Sequence, residues 1–263
     1  MNTCEQLVCR IDNASVPHQR NLPKPNEDVF VVDEERGVFI VLDGITRVHS
    51  EYEANPYQSA ACDVNRIFLK AVCSELHDRA GGADMETILR EAVMKGNRDI
   101  REYRSKMNES EWGFYPGTLG IISILEDNRF HYLCAGDCLG VLIRGNAKIF
   151  FGEQSSIGAV DIQKVTKEER YRIYCNHPEN RHTYTIFNGD DCVPENAEYA
   201  FLDLYEGDTV FLVSDGLRDC IKYEKSELLK QLSAEDLLAV SERYDREPFA
   251  SYGDDKTVVK LSF

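Results

Sequence analysis

Four acidic sites stand at the ends of apolar runs in this chain. Val38 to Leu42 delivers Asp43-Gly44, Leu133 to Gly136 leads into Asp137 within C-A-G-D-C, Thr209 to Ser214 delivers Asp215-Gly216, and Asp254-Asp255 precedes K-T-V-V-K-L. Runs of this kind read as buried strands. Carboxylates gathered at strand ends around a core repel one another unless a hard cation neutralises them, and oxygen ligands suit Mg²⁺ or Mn²⁺. The set therefore predicts a polynuclear metal site. At each Asp-Gly the alternative is an aspartate that caps the turn after a strand. For Asp137 a hairpin-turn role stands beside ligation, and Asp255 stands beside Asp254 as the ligand of the last pair.

The elements that must position these acids follow from periodicity. Val29 to Val32 and Val38 to Leu42, joined by a turn at 34–37, predict a hairpin that carries Asp28 and Asp43. Two one-sided helices come next. The first has Asn55-Pro56 as its start and a stripe of Tyr57, Ala60, Ala61, Val64, Ile67, Phe68, Ala71, Val72 and Leu76; the second is capped by Asp84 and carries Ile88, Leu89, Ala92, Val93, Ile100 and Tyr103. From Gly117 to Phe151 closely spaced strands predict an antiparallel meander. Residues 152–200 read as an irregular flap with one helix near Lys167 to Tyr174. Helices over 225–232 and 234–244, the latter capped by Ser233, and a last strand from Thr257 complete a single α+β domain spanning 1–263.

Composition removes several function classes. The chain has 263 residues, with 46 acids against 30 Lys and Arg and a formal net charge of -16. That balance disfavours nucleic acid and anionic membrane as partners. Nine cysteines fall without framework or zinc spacing, although Cys134 and Cys138 lie close together; Cys62, Cys73 and Cys134 occupy apolar positions and read as core. The N-terminal stretch has no apolar signal core and no run reaches the ~18 residues of a membrane span. The expectation is a reduced, cytoplasmic, monomeric protein.

Taken together, N-E-D at 26–28, V-L-D-G at 41–44, P-G-T at 116–118, A-G-D-C at 135–138, E-G-D-T-V-F-L-V-S-D-G-L at 206–217 and D-D-K-T-V-V at 254–259 resemble, in order, the motifs of the type 2C metal-dependent protein phosphatases, the PPM family. The resemblance spans nearly the whole chain. It implies a four-layer sandwich of two antiparallel sheets flanked by helices, with the metals in a cleft at one edge. It further implies that Asp43 bridges two Mn²⁺ or Mg²⁺ ions, that the Gly44 carbonyl ligates one, and that Asp215 and Asp254 complete the shell of the other. Glu27 or Asp28 would hold waters on the metals, where the residues alone also allow plain surface acids, and Asp137 would support a third ion. The activity implied is hydrolysis of phosphoserine and phosphothreonine in a phosphoprotein substrate, by attack of a water that bridges the metals and without a phosphoenzyme. Asp28, Asp43, Asp215 and Asp254 are then the catalytic set.

The chain also departs from the family pattern. The usual arginine five residues before the first-motif aspartate is Pro23, which leaves Lys24, Arg20 and Arg47 as weak candidates for the phosphate contact, and lysine lacks the bidentate fork. The histidine that commonly follows D-G is displaced to His49, and Asp255 replaces the usual asparagine of the last motif. These departures motivate a second reading, a binding module that kept the fold and lost phosphate capture. Two other classes fail. Val41 stands where a D-x-D-G-T phosphatase would need its nucleophile, and the chain has no G-x-x-x-x-G-K-[ST] loop.

Overall fold

A strand covered on both faces must be apolar at every position, and Val38–Gly44 (β3) is such a strand. Val38, Ile40 and Leu42 face a helical layer while Phe39 and Val41 face a second sheet. In the computed structural model, residues 7, 9–17, 25–45, 59–78, 84–106, 116–154, 169–177, 179–180, 183–247, 249 and 253–263 are described. Two five-stranded antiparallel sheets form the centre. One has the order β2 (Val29–Asp33), β3, β4 (Thr118–Glu126), β5 (Arg129–Ala135), β8 (Glu198–Asp203). The other has the order β1 (Arg10–Val16), β10 (Lys256–Ser262), β9 (Thr209–Val213), β6 (Leu139–Arg144), β7 (Ala147–Phe151).

Three apolar cores separate four layers. Helices α1 (Ala60–His77) and α2 (Met85–Arg104) bury Val64, Phe68, Val72, Leu89 and Ile100 against the first sheet. Between the sheets lie Val41, Ile121, Phe130, Val210, Leu212 and Val259. Beneath the second sheet, α4 (Arg218–Tyr223), α5 (Ser226–Gln231) and α6 (Ala234–Ser241) pack Ile221, Leu229 and Leu237 on Val141, Phe211 and Val258. The expected α+β four-layer sandwich is thus the observed architecture. Among the described residues no helix is long and apolar enough to cross a membrane.

Local chemistry explains most boundaries. Helix α1 begins at Ala60 with the Ser59 hydroxyl accepting the Ala61 N–H, whereas the expected start at Asn55-Pro56 lies outside the described residues. Asp84 caps α2 by accepting the Thr87 N–H, and Ser233 and Asp236 form a capping box on α6. Cys134 is buried and Cys73, half-buried, packs against the helical core; Cys62 is half-buried at the margin of the α1 stripe, where its thiol donates to the Asn26 carbonyl at 3.4 Å.

The segment 152–200 differs from the irregular flap expected. Its end is already strand: β8 begins at Glu198 and pairs with β5. A π-helical turn covers Arg170–Tyr174, near the expected helix, and a short α3 covers Val193–Asn196. The stretch 183–197 is tied into the body. The Phe187 ring stacks on Phe68 at 4.6 Å between centroids. Arg104 donates to the Asn188 carbonyl at 2.7 Å and to Asp190 at 2.8 Å. Asn97 donates to the Asp190 carbonyl at 2.7 Å and accepts the Gly189 N–H at 2.7 Å. Asn176 donates to the Ile186 carbonyl and to Asn188 Oδ1, both at 3.0 Å.

Candidate metal centre

Strand register brings the acids together. In the first sheet Asp43 pairs with Leu119 and Gly120 pairs with Ala135, so the end of β3 lies two strands from the end of β5. In the second sheet Val213, the end of β9, pairs with both Leu139 at the start of β6 and Val258 near the start of β10. The connection from β5 to β6 crosses between the sheets and carries Asp137. Asp43, Asp137, Asp215 and Asp254 are therefore all delivered to one end of the sandwich, two strand ends, one crossover and one strand start.

The two glycines after Asp43 and Asp215 serve close packing rather than a turn. Gly44 is still in the β3–β4 ladder opposite Thr118, and a Cβ there would stand 2.8 Å from the Glu27 carbonyl oxygen and 2.9 Å from Ala61 Cβ. A Cβ on Gly216 would stand 1.9 Å from the Asp255 carbonyl oxygen, well inside contact distance. Asp215 opens a 3₁₀ turn, Asp215–Leu217, that leads into α4. The Asp43 carbonyl is held by the Thr118 hydroxyl at 3.0 Å, and the Gly44 N–H donates to the Glu27 carbonyl at 3.1 Å.

Carboxylate oxygens of Asp43, Asp137 and Asp215 lie within 4.8 Å of one another. Burial and then the Asp215, Asp28, Asp254 and Asp137 charges push the Asp43 carboxyl well above the usual carboxylate range. Burial, followed by Asp254 and Asp137, does the same to Asp215, with Arg218 opposing. Asp28 is raised to about 7, by burial first, while the hydrogen bond from the Ser214 hydroxyl stabilises its charged form and opposes the rise. Asp215 Oδ1 is buried without a hydrogen-bond partner. Converging acids that disfavour each other's charge, together with a buried oxygen left without a donor, fit a hard divalent cation.

The flanking residues divide into cluster members and supports. Asp28 Oδ2 accepts the Ser214 hydroxyl at 2.6 Å beside the cluster. Glu27 is a tie between elements: its N–H donates to Asp255 at 2.9 Å, its carboxylate accepts the Ser59 hydroxyl, and its carbonyl accepts the Asn65 amide. Asp255 is buried and turned to that N–H, whereas Asp254 contributes its charge to both Asp43 and Asp215. Lys24 and Arg47, with Arg20, Pro23 and His49, lie outside the described residues.

Sequence reasoning missed Arg218. Its guanidinium Nη2 donates to the Asp137 carbonyl at 3.0 Å and lies 3.4 Å from Asp137 Oδ2, and its Nε lies 3.1 Å from Glu153 Oε1. The signal was present in S-D-G-L-R-D, because a residue three beyond Asp215 on a helical turn returns to the same side. Gln154 was missed as well. It accepts the Gly136 and Thr185 N–H groups at 3.0 and 2.9 Å and donates to the Asn196 carbonyl at 3.0 Å.

No family model and no curated protein sequence matches the chain. Solved structures do match over nearly its whole length. A Mycobacterium tuberculosis serine/threonine phosphatase, PstP/Ppp, is 22% identical with a TM-score of 0.68, covering 98% of this chain and 99% of that one. The PstP catalytic domain in complex with two manganese ions is 21% identical with a TM-score of 0.66, covering 97% of each chain. A S. agalactiae serine/threonine phosphatase is 18% identical with a TM-score of 0.68, covering 97% of this chain and 99% of that one. The shared property is the fold, and it agrees with the resemblance read from the six motifs.

Proposed function

We propose that the chain is a divalent-metal-dependent phosphatase that hydrolyses phosphoserine and phosphothreonine in protein substrates. The observation that carries this reading is the convergence of Asp43, Asp137 and Asp215 within 4.8 Å, with Asp215 Oδ1 buried and without a donor. Asp43, the Gly44 carbonyl, Asp215 and Asp254 would hold two Mn²⁺ or Mg²⁺ ions, which supply a nucleophilic water at neutral pH and neutralise phosphoryl oxygens. A neighbour of the same fold that is described with two manganese ions supports that count.

The chain's own residues supply the rest. Asp43 is fixed by ladder pairing and Asp215 by the 3₁₀ turn whose Gly216 packs on the Asp255 carbonyl, so the backbone that carries each carboxylate is set in advance, a condition for electrostatic preorganisation. Asp28, anchored by Ser214, faces the cluster with an oxygen able to orient water. Glu27 holds the N-terminus of α1, β10 and β3 in register around the site. Lys24 and Arg47 are the proposed phosphate contacts, and the stretch 152–200 is the proposed source of the substrate-selecting surface.

The test is hydrolysis of para-nitrophenyl phosphate and a phosphothreonine peptide with and without Mn²⁺, wild type beside Asp43→Asn. Metal-dependent turnover lost in the variant is expected. Equal turnover by both proteins would overturn the mechanism.

A further inference from the structure

We infer that Arg218 is a built-in counter-charge for Asp137, occupying the role a third divalent cation would otherwise take there, and that it limits the site to the cations held by Asp43, Asp215 and Asp254. This rests on the proposed metal site but concerns a residue that neither the motifs nor the fold assigns.

Two observations carry it. The Arg218 side chain is 17% exposed and points back at the Asp137 loop, donating to its carbonyl at 3.0 Å and standing 3.4 Å from its carboxylate. It is held from behind by Glu153, itself 20% exposed, which also takes Lys222 at 3.1 Å. A fixed guanidinium beside a carboxylate gives a local charge balance that a hydrated divalent ion would have to displace. Because Arg218 also follows Asp215 on the same turn, the cation and the acid it shields are placed by one element. Arg218 is accordingly a positioning residue. It acts on the cluster through Asp137, and its guanidinium is committed to protein partners instead of to phosphate.

The experiment is a calorimetric Mn²⁺ titration of folded wild type, Arg218→Gln, Arg218→Lys, Asp137→Asn and the Arg218→Gln/Asp137→Asn double variant. Removing the guanidinium should add a further equivalent of Mn²⁺ and tighten apparent affinity by roughly tenfold. The extra equivalent should vanish in the double variant, while Arg218→Lys and Asp137→Asn keep the wild-type stoichiometry. Unchanged stoichiometry and affinity in Arg218→Gln would overturn the inference, as would loss of an equivalent in Asp137→Asn, since Asp137 would then already be a ligand. If Arg218→Gln does not fold, Arg218→Met replaces it, with the same gain expected and the same unchanged stoichiometry and affinity overturning the inference. Absence of Mn²⁺ binding in wild type would sink the proposed function. Binding that then appears in Arg218→Gln would still support the counter-charge, and its absence there would remove both.

Discussion

Two buried polar clusters of this chain are built on opposite principles. Around Asp190 every charge has its complement: burial works against the carboxylate, yet hydrogen bonds from Arg104, Asn188 and Asn176 and the Arg104 charge hold it below the usual carboxylate range. Around Asp43 and Asp215 the neighbours are other acids, both carboxyls are pushed well above that range, and Asp215 Oδ1 has no donor. A satisfied network fixes a segment in place; crowded carboxylates are relieved by protons or by a bound cation. The first cluster therefore explains how 183–197 is attached, and the second is the cluster on which the proposed activity rests.

The contrast can be broken most directly at Asp43. Asp43→Asn is expected to lower metal-dependent phosphoester hydrolysis by ~10³-fold or more, while raising the melting temperature of the metal-free protein, because one of the mutually repelling charges is gone. A variant that loses activity and metal-free stability together would show that the acids are structural. On the satisfied side, Asn176→Ala should cost about 3 kcal/mol in urea unfolding, through the bonds to Ile186 and Asn188 and the left-handed backbone at φ 55°. Its Mn²⁺ affinity should stay within about twofold of wild type.

The two clusters also respond oppositely to pH. Asp28 has a folded pKa of about 7, above its unfolded value of about 3.9. Its contribution to stability is complete below the unfolded pKa and is lost as pH rises through 7. Asp190 is shifted downward, so its contribution is present above the unfolded pKa and is lost only in acid. Between pH 5 and 8 the acid cluster should therefore set the slope, and metal-free protein should lose about 2 kcal/mol as pH rises. Chemical denaturation across that range checks this, and Asp28→Asn should flatten the slope. Gln154 bridges the clusters through Gly136, Thr185 and Asn196. Gln154→Ala should cost about 1 kcal/mol and weaken Mn²⁺ binding a few-fold by calorimetry; no change in binding would mean the two clusters are independent.

How much of this was legible varies with the physics of each element. Strands buried on both faces, such as β3 and β9, appear as unbroken apolar runs, and helices with one buried face appear as stripes. Strand β1 escaped because I-D-N-A-S-V is half-buried and polar; what makes it a strand is its pairing with β10. Strand β8 escaped within a stretch rich in Asn, Asp and Glu for the same reason, being an edge strand held by β5. The 3₁₀ turn and α4 after Asp215 were hidden by Asp-Gly, which reads as a turn until the Asp255 carbonyl shows why the glycine is there.

The sequence by itself determined the identity of the acids, their order and their places at strand ends, because those depend on local apolar runs and their interruption. Only the tertiary structure decided that Asp255 accepts the Glu27 N–H, that Asp254 adds its charge at Asp43 and Asp215, that Asp137 stands among them, and that Arg218 lies beside it. Those outcomes depend on register between two sheets and on which side chain finds a backbone donor, contacts between residues some forty to two hundred positions apart that no local pattern encodes.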